Sequence, residues 1–289
     1  MDPSLNGKTA IVTGGTSGIG LATVRALSHL GAQVIIISRS AEKCAAVAES
    51  ISSLTGNPVT WIAADLATIA GITQAALLFK QRHTHLHILV NNAGGIFMNW
   101  ILTCDGLETT FALNHLSYFM LTNLLLDTLK ASAPARVVCV ASDSHRSIKE
   151  LNPANFQGGK KYKGSQAYSI SKLANVLFTY ELARRLEGTG VTANALHPGY
   201  VHTSIGGNNG LVGGIILFGS RWFGRAPEEG ARTSIHLAAS PDVEGISGKY
   251  FSDCKEVPSS PLSYDRELAK KLWEYSLEMT GISASRSST

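Results

Sequence analysis

Apolar runs of strand length alternate with segments of helical period along this chain, and the rhythm persists almost to the C-terminus. Such alternation marks successive βαβ units and therefore a parallel sheet. Residues 9–13 form a short β-branched run that ends in glycines. In 19–30, Ile19, Ala22, Ala26 and Leu27 fall on one helical face, and Gly31 follows as a helix terminator. Residues 34–37 are apolar throughout, as in a strand covered on both faces. Further strands are predicted at 59–63 and 88–90, with helices near 41–54 and 69–81 between them. Long helices are predicted over 107–130 and 166–187, flanking a strand at 136–141. Strands six and seven are expected at 191–196 and around 249–251, and a helix begins near Pro227. The pattern is that of a doubly wound, seven-stranded parallel sheet with helices on both faces.

Length changes this picture little. At roughly 150 residues per domain, 289 residues allow two domains, but no linker or repeat interrupts the rhythm. One domain over 1–289 is expected, with a tail that frays at 283–289. The 44% hydrophobic and 16% charged content excludes disordered and fibrous classes. The net charge of +4 is dispersed, without a run of like charges, which argues against nucleic acid as a partner. Cys44, Cys104, Cys139 and Cys254 are far apart and form no C-x-x-C pair. With a start, Met1-Asp2-Pro3-Ser4-Leu5-Asn6, that lacks the basic and apolar regions of a secretory signal, they indicate a cytoplasmic, reducing setting. No stretch reaches the ~18 apolar residues of a membrane span.

Candidate chemistry begins at Thr13-Gly14-Gly15-Thr16-Ser17-Gly18-Ile19-Gly20, between the first strand and the first helix. Glycines there let the backbone turn sharply and approach a pyrophosphate, while the helix N-terminus offers unpaired N–H groups and the positive end of a dipole. Gly14, Thr16, Ser17, Gly18, Ile19 and Gly20 are therefore candidate dinucleotide contacts. The bland reading is a tight turn, and strand before and helix after weigh against it. About 20 residues further on, the second strand ends in Ser38-Arg39-Ser40, with no acid. A carboxylate there would bond the ribose hydroxyls of NAD, whereas Arg39 can accept a 2′-phosphate through a charge-assisted fork, which favours NADP. Otherwise Arg39 is a solvated residue at a helix start.

Tyr168-Ser169-Ile170-Ser171-Lys172 lies at the beginning of a long helix, and the spacing of four puts the phenol and the ammonium on one face. Ser142 closes the preceding strand, where a parallel sheet presents ligand-facing residues; Ser144 is the nearby alternative. An ammonium about 4 Å from the phenol is worth ~4 kcal/mol at an effective dielectric of 20, enough to bring its pKa from near 10 toward ~7 as an upper estimate. Tyr168 would then serve as a general acid/base.

Over nearly its whole length the chain resembles the classical short-chain dehydrogenases/reductases, which have a Rossmann fold. The resemblance rests on Thr13-Gly14-x-x-x-Gly18-x-Gly20, Asp65-Leu66, Asn91-Asn92-Ala93-Gly94, Asn114, Ser142, Tyr168-x-x-x-Lys172, and Pro198-Gly199 with Thr203, all in register. Asn114-His115-Leu116, Thr122-Asn123-Leu124-Leu125-Leu126, Ser142-x-x-His145 and the stretch from Leu272-Trp273 to Met279-Thr280-Gly281 are similar to the branch of retinol dehydrogenases, WW-domain oxidoreductase and the X-linked dehydrogenase/reductase. The resemblance implies that Asp65 and Leu66 bound the adenine, Asn92 lies on the adenosine ribose side, and Val201 and Thr203 hold the carboxamide, with Gly94 and Pro198 as further cofactor contacts. Lys172 would hold the nicotinamide ribose, Ser142 would polarise the substrate carbonyl, and Asn114 would seat a water linking Lys172 to solvent. Tyr168 would deliver the proton as hydride is transferred. Where the branch carries a serine pair, this chain has Ala141-Ser142.

Together with the Arg39 reading, the resemblance implies an NADPH-preferring carbonyl reductase or alcohol dehydrogenase that acts as a homodimer or homotetramer, with the 107–130 and Tyr168 helices at the contact. The apolar character of 107–130 also fits simple deep burial. Residues 200–227 correspond to a substrate lid, and their glycine-broken apolar run at 211–223 implies a hydrophobic substrate, a peripheral membrane contact, or a core helix. Residues 149–163 are long for a connection and either cover the site or form a solvated excursion. His83-Thr84-His85-Leu86-His87 resembles a metal tract, but without a neighbouring Cys or acid a solvated edge is the better reading, and no metal is expected. Competing functions are a catalytically silent nucleotide-binding protein on the same fold, which would not need Asn114, Ser142, Tyr168 and Lys172 together, and an isomerase or dehydratase of the extended branch, which would carry a longer C-terminal region.

Overall fold

The computed structural model describes residues 4–153, 156–157, 162–199 and 225–282. Seven parallel strands form one sheet in the order β3-β2-β1-β4-β5-β6-β7, and a short antiparallel β8 is added at the edge. In chain order they are β1 (Thr9–Thr13), β2 (Gln33–Ser38), β3 (Val59–Ala63), β4 (Ile88–Asn91), β5 (Ala135–Val140), β6 (Val191–His197), β7 (Tyr250–Ser252) and β8 (Lys255–Glu256). The first three helices are α1 (Gly18–His29), α2 (Ala41–Thr55) and α3 (Ile69–Arg82). After β4 come α4 (Thr109–Phe111), a π turn (Ala112–Leu116), α5 (Ser117–Leu124) and α6 (Leu126–Ala131). The remaining helices are α7 (Gly164–Arg185), α8 (Pro227–Ala239) and α9 (Arg266–Thr280).

Strand alternation distributes the apolar side chains between two cores. Ala10, Val12, Val34, Ile36, Val90, Val138 and Val140 pack against Val24 and Leu27 of α1, Ala48 and Ile51 of α2, and Leu237 of α8. On the other face, Ile11, Ile35, Ile37, Leu89 and Val137 meet Phe79 of α3, Phe119 of α5 and Phe178 of α7. Burial on both faces is why these strands read as unbroken apolar runs. A third cluster, with Phe111, Leu173, Leu177, Leu268 and Leu272, packs α9 over α4 and α7, so the outward side of α7 is buried within the chain as well.

Two features depart from the expected pattern. The predicted 107–130 helix is not continuous: a π turn interrupts it at 112–116, and Leu125, at φ −100° and ψ 3°, separates α5 from α6. The eighth strand comes from a hairpin whose loop residues Asp253 and Cys254 are both left-handed, φ 48° and 61°. That is the conformation of a two-residue turn with φ above zero at both centres. The chain order reverses between β1 and β4, and the crevice beside that switch point, at the carboxyl ends of the strands, is where such sheets bind ligands.

Candidate active site

At that switch point lies a cleft of about 460 Å³, lined by Gly14, Thr16, Ser17, Gly18, Ile19 and Gly20, by Ser38, Arg39, Ser40 and Lys43, and by Leu66, Asn92 and Gly94. Gly14 and Gly18 adopt φ 67° and 53°, which only glycine takes without strain. A side chain on Gly20 would collide with the Gly14 carbonyl oxygen. The loop is fastened to the end of β4: Thr13 Oγ1 accepts the N–H groups of Asn92 (2.8 Å) and Ala93 (2.9 Å), and Asn92 Nδ2 donates to the Thr13 carbonyl (2.8 Å). Ser17 precedes α1 without capping it through its side chain, and the first turn has no acid. The N–H groups of that turn therefore remain available to an anion. Bare backbone, helix N-terminus and two cationic side chains together fit a phosphate-bearing dinucleotide.

Other expected contacts fare differently. Leu66 lines the cleft, whereas Asp65 turns its carboxylate to the N–H of Ala67 (3.0 Å). Pro198 follows β6 directly, and the adjacent Gly199, at φ 82°, packs under Arg225, which pairs with Asp253. Val201 and Thr203, most of the 200–227 lid, the 211–223 run and the 283–289 tail lie outside the described residues.

The cleft leads to the expected polar cluster. A side chain built at Gly94 would stand 3.1 Å from Asn114 Oδ1 and 3.7 Å from Lys172 Nζ, so the absence of one joins the two regions. Ser142 follows β5 by two residues and caps a short 3₁₀ turn (Asp143–Ser147), its Oγ accepting the Ser144 N–H at 3.2 Å. Its hydroxyl lies near that of Tyr168, on the first turns of α7, and favours the ionised phenol. Lys172, one turn on, donates from Nζ to the Val140 carbonyl at 2.8 Å and lies 5.6 Å from the centre of the Tyr168 ring. Asn114 sits in the π turn, where Oδ1 accepts Gly95 N–H (2.8 Å) while Nδ2 faces Gly95 O (2.9 Å) and Ser171 Oγ (3.0 Å).

The electrostatics correct one expectation. Burial pushes the Tyr168 phenol up rather than toward neutrality, opposed by the Ser142 hydroxyl. Lys172 is itself desolvated, which pushes its pKa down to about 8, and its hydrogen bond to the Val140 carbonyl leaves the charge on Nζ. Tyr168 is thus held protonated.

Several neighbours carry no motif of their own. Lys43 reaches the cleft because α2 begins at Ala41, capped by Ser40, so that its first turn faces the same opening as Arg39. Ser171 and Gly95 matter only as partners of Asn114. The described part of 149–163 is divided: Lys149, Glu150, Asn152 and Lys163 are exposed, whereas Gln157 bonds Glu108 N–H (2.8 Å) and Tyr275 (2.6 Å), and Tyr162 Oη lies 3.0 Å from Phe97 O. Of the three alternating histidines, His83 stacks on Phe79, His85 on His87, and His87 Nδ1 accepts the Thr9 N–H. No group of three or more His, Cys, Asp or Glu among the described residues could hold a metal, and no helix among them is long and apolar enough to cross a membrane.

Residues 8–210 match the family of short chain dehydrogenases. Retinol dehydrogenase 14 of Mus musculus is 43% identical over 297 residues, covering 97% of this chain and 88% of that protein. Among solved structures, a putative uncharacterized protein from Mycobacterium paratuberculosis superposes with a TM-score of 0.79 at 31% identity, over 97% of this chain and 96% of that one. The RhlG/NADP active-site complex of Pseudomonas aeruginosa superposes with a TM-score of 0.68 at 31% identity, over 87% and 97%.

Proposed function

The chain belongs to the short-chain dehydrogenase family, in its retinol dehydrogenase branch, and from that membership we propose that it interconverts a carbonyl and a primary or secondary alcohol on a hydrophobic small molecule, with NADP(H) preferred over NAD(H). The observation that carries this reading is the meeting of Ser142, Tyr168 and Lys172 beside Gly94, at the end of a cleft built for a dinucleotide.

When bound, the nicotinamide supplies or takes up the hydride. The chain's part is to hold the substrate oxygen and move a proton. Ser142 Oγ–H donates to the carbonyl oxygen and polarises it, and Tyr168 Oη–H delivers the proton as negative charge builds there. Burial keeps the phenol protonated, as a proton donor must be. The nearby Lys172 ammonium stabilises the phenolate left behind. Asn114, held through its side chain to Gly95 and Ser171, fixes the π turn beside Lys172, where a water would return the proton.

Preference for NADP(H) is supported by Arg39 and Lys43 in the cleft and by the lack of any Asp or Glu among its described lining residues. A carboxylate there would repel a 2′-phosphate, and two cations favour it. Reduction is the proposed physiological direction, since NADP pools are kept reduced. The apolar run at 211–223 and the retinol dehydrogenase relatives support a greasy substrate. A single domain working as a homodimer or homotetramer in the cytoplasm, with a membrane-surface contact through 211–223, completes the proposal.

The test is Tyr168→Phe, assayed with NADPH against a panel of apolar aldehydes and ketones. Turnover is expected to fall at least about 10³-fold, with NADPH affinity within about twofold of the parent. Retained turnover would remove Tyr168 from the reaction.

A further inference from the structure

Ser142 can polarise a carbonyl only if its hydroxyl is aimed, yet the turn it caps is five residues long and its Oγ bonds only the N–H of Ser144 within that turn. The main chain of Ser142 is held from within the same turn by His145, whose backbone N–H reaches the Ser142 carbonyl at 3.2 Å and whose side chain binds it more closely. This imidazole is fully buried. Its Nδ1 lies 2.6 Å from the Ser142 carbonyl oxygen, and its Nε2 accepts the N–H of Ser260 at 3.0 Å. Since a backbone N–H can only donate, Nε2 must carry the lone pair, so the proton sits on Nδ1 and is donated to Ser142. The ring is therefore neutral and in one tautomer. Its face is closed by Tyr250, with ring centres 5.0 Å apart.

The far end of this strut is anchored as well. Ser263 Oγ donates to the Ser260 carbonyl at 2.6 Å, and the adjoining Ser259 Oγ lies 2.8 Å from Tyr180 Oη on α7. Arg146 Nη2 adds a parallel tie to the Pro258 carbonyl at 2.6 Å. Because α7 also carries Tyr168, the chain of contacts from Ser142 through His145 and the 259–263 turn returns to the helix that presents the phenol. We propose that His145 is a positioning residue for the reaction: it fixes the main chain of Ser142, and so aims the Ser142 hydroxyl at Tyr168 and the substrate oxygen. This rests on the reading of Ser142 given above.

Charge around the ring favours the neutral form. Burial does most to oppose protonation, joined by Arg146 and His197, while the bond to Ser142 and the Asp143 carboxylate favour it. A proton on Nε2 would set donor against donor at Ser260.

The two nitrogens can be tested separately. An asparagine amide reaches where Nδ1 stands and can still donate to Ser142, whereas a glutamine amide reaches only the Nε2 position. His145→Ala and His145→Gln are expected to lower kcat by about tenfold or more, because misplacing a reacting group by an ångström costs up to ~10². His145→Asn should recover to within about threefold of the parent. NADPH dissociation constants, read by fluorescence, should stay within about twofold in all three. In a Ser142→Ala background, His145→Ala should cost nothing further in the residual rate. Unchanged kcat in His145→Ala, equal losses in the Asn and Gln variants, or a full additional loss in the Ser142→Ala background would each overturn the proposal. Parental kcat in Ser142→Ala alone would instead overturn the role of Ser142, and leave His145 nothing to aim.

Discussion

Lys172 is 3% exposed, and its ammonium faces a carbonyl oxygen rather than a carboxylate. Glu181, on the same helix, is as deeply placed but is held by Arg184 (2.7 Å) and Arg185 (2.8 Å). Burial pushes the Lys172 pKa from 10.5 to about 8, an order of magnitude of ~3 kcal/mol against folding at neutral pH. The sign follows from proton counts. Between about pH 8 and 10.5 the unfolded chain binds the proton and the folded chain does not, so stability rises with pH across that window; below it the penalty is complete. Lys172→Met is expected to abolish turnover yet raise stability at pH 7 by about 1–3 kcal/mol, the gain fading by pH 10. Urea unfolding at the two pH values checks it. A side chain that costs stability where it stands is what a site retained for chemistry would show. The Tyr-x-x-x-Lys spacing was legible in the sequence, but the direction of the Tyr168 shift was not, because it depends on how far the fold desolvates the phenol.

At the scale of elements, the glycine loop separates helix propensity from fit. Gly20 lies in the first turn of α1, where alanine is intrinsically the better helix former by up to ~1 kcal/mol. A methyl group there would strike the Gly14 carbonyl and stand 2.6 Å from Asn92 Nδ2. Gly20→Ala is therefore expected to destabilise by about 1–3 kcal/mol and to weaken NADPH binding at least about tenfold, measured by denaturation and fluorescence titration. The same loop shows why legibility was uneven. Its glycines are spaced in the sequence as the turn requires, so Gly14, Gly18 and Gly20 could be read directly. The π turn at Ala112–Leu116 could not, since 107–130 is apolar on more than one face and a one-residue shift of phase leaves little mark on such a pattern. β8 escaped because both its residues, Lys255 and Glu256, are exposed and its turn lacks the usual Asn-Gly or Asp-Gly pair.

For the whole molecule, the strand order determines which distant residues share the cleft. Register places Thr13 beside Ile37, so the loop after β1 and the Ser38-Arg39-Ser40 segment after β2 open on the same side. The start of α2 then brings Lys43 to Arg39. The alternation of strands and helices made that arrangement legible, apart from Lys43, whose position depends on where α2 begins. A ligand that binds only the folded chain stabilises it by RT ln(1 + [L]/Kd), about 2.7 kcal/mol at 100-fold over Kd, which for a chain of this length is a rise in Tm of roughly 4–6 °C. With two cations and no described acid in the lining, NADPH is expected to give that rise, and NADH at the same concentration a clearly smaller one. Replacing both cations with acids, Arg39→Asp with Lys43→Glu, should remove or invert the difference while leaving the Tm of the unliganded chain within about 2 °C, since both side chains are at the surface. Equal shifts for the two cofactors in the unaltered protein would mean that the charge at this end of the cleft does not read the 2′-phosphate.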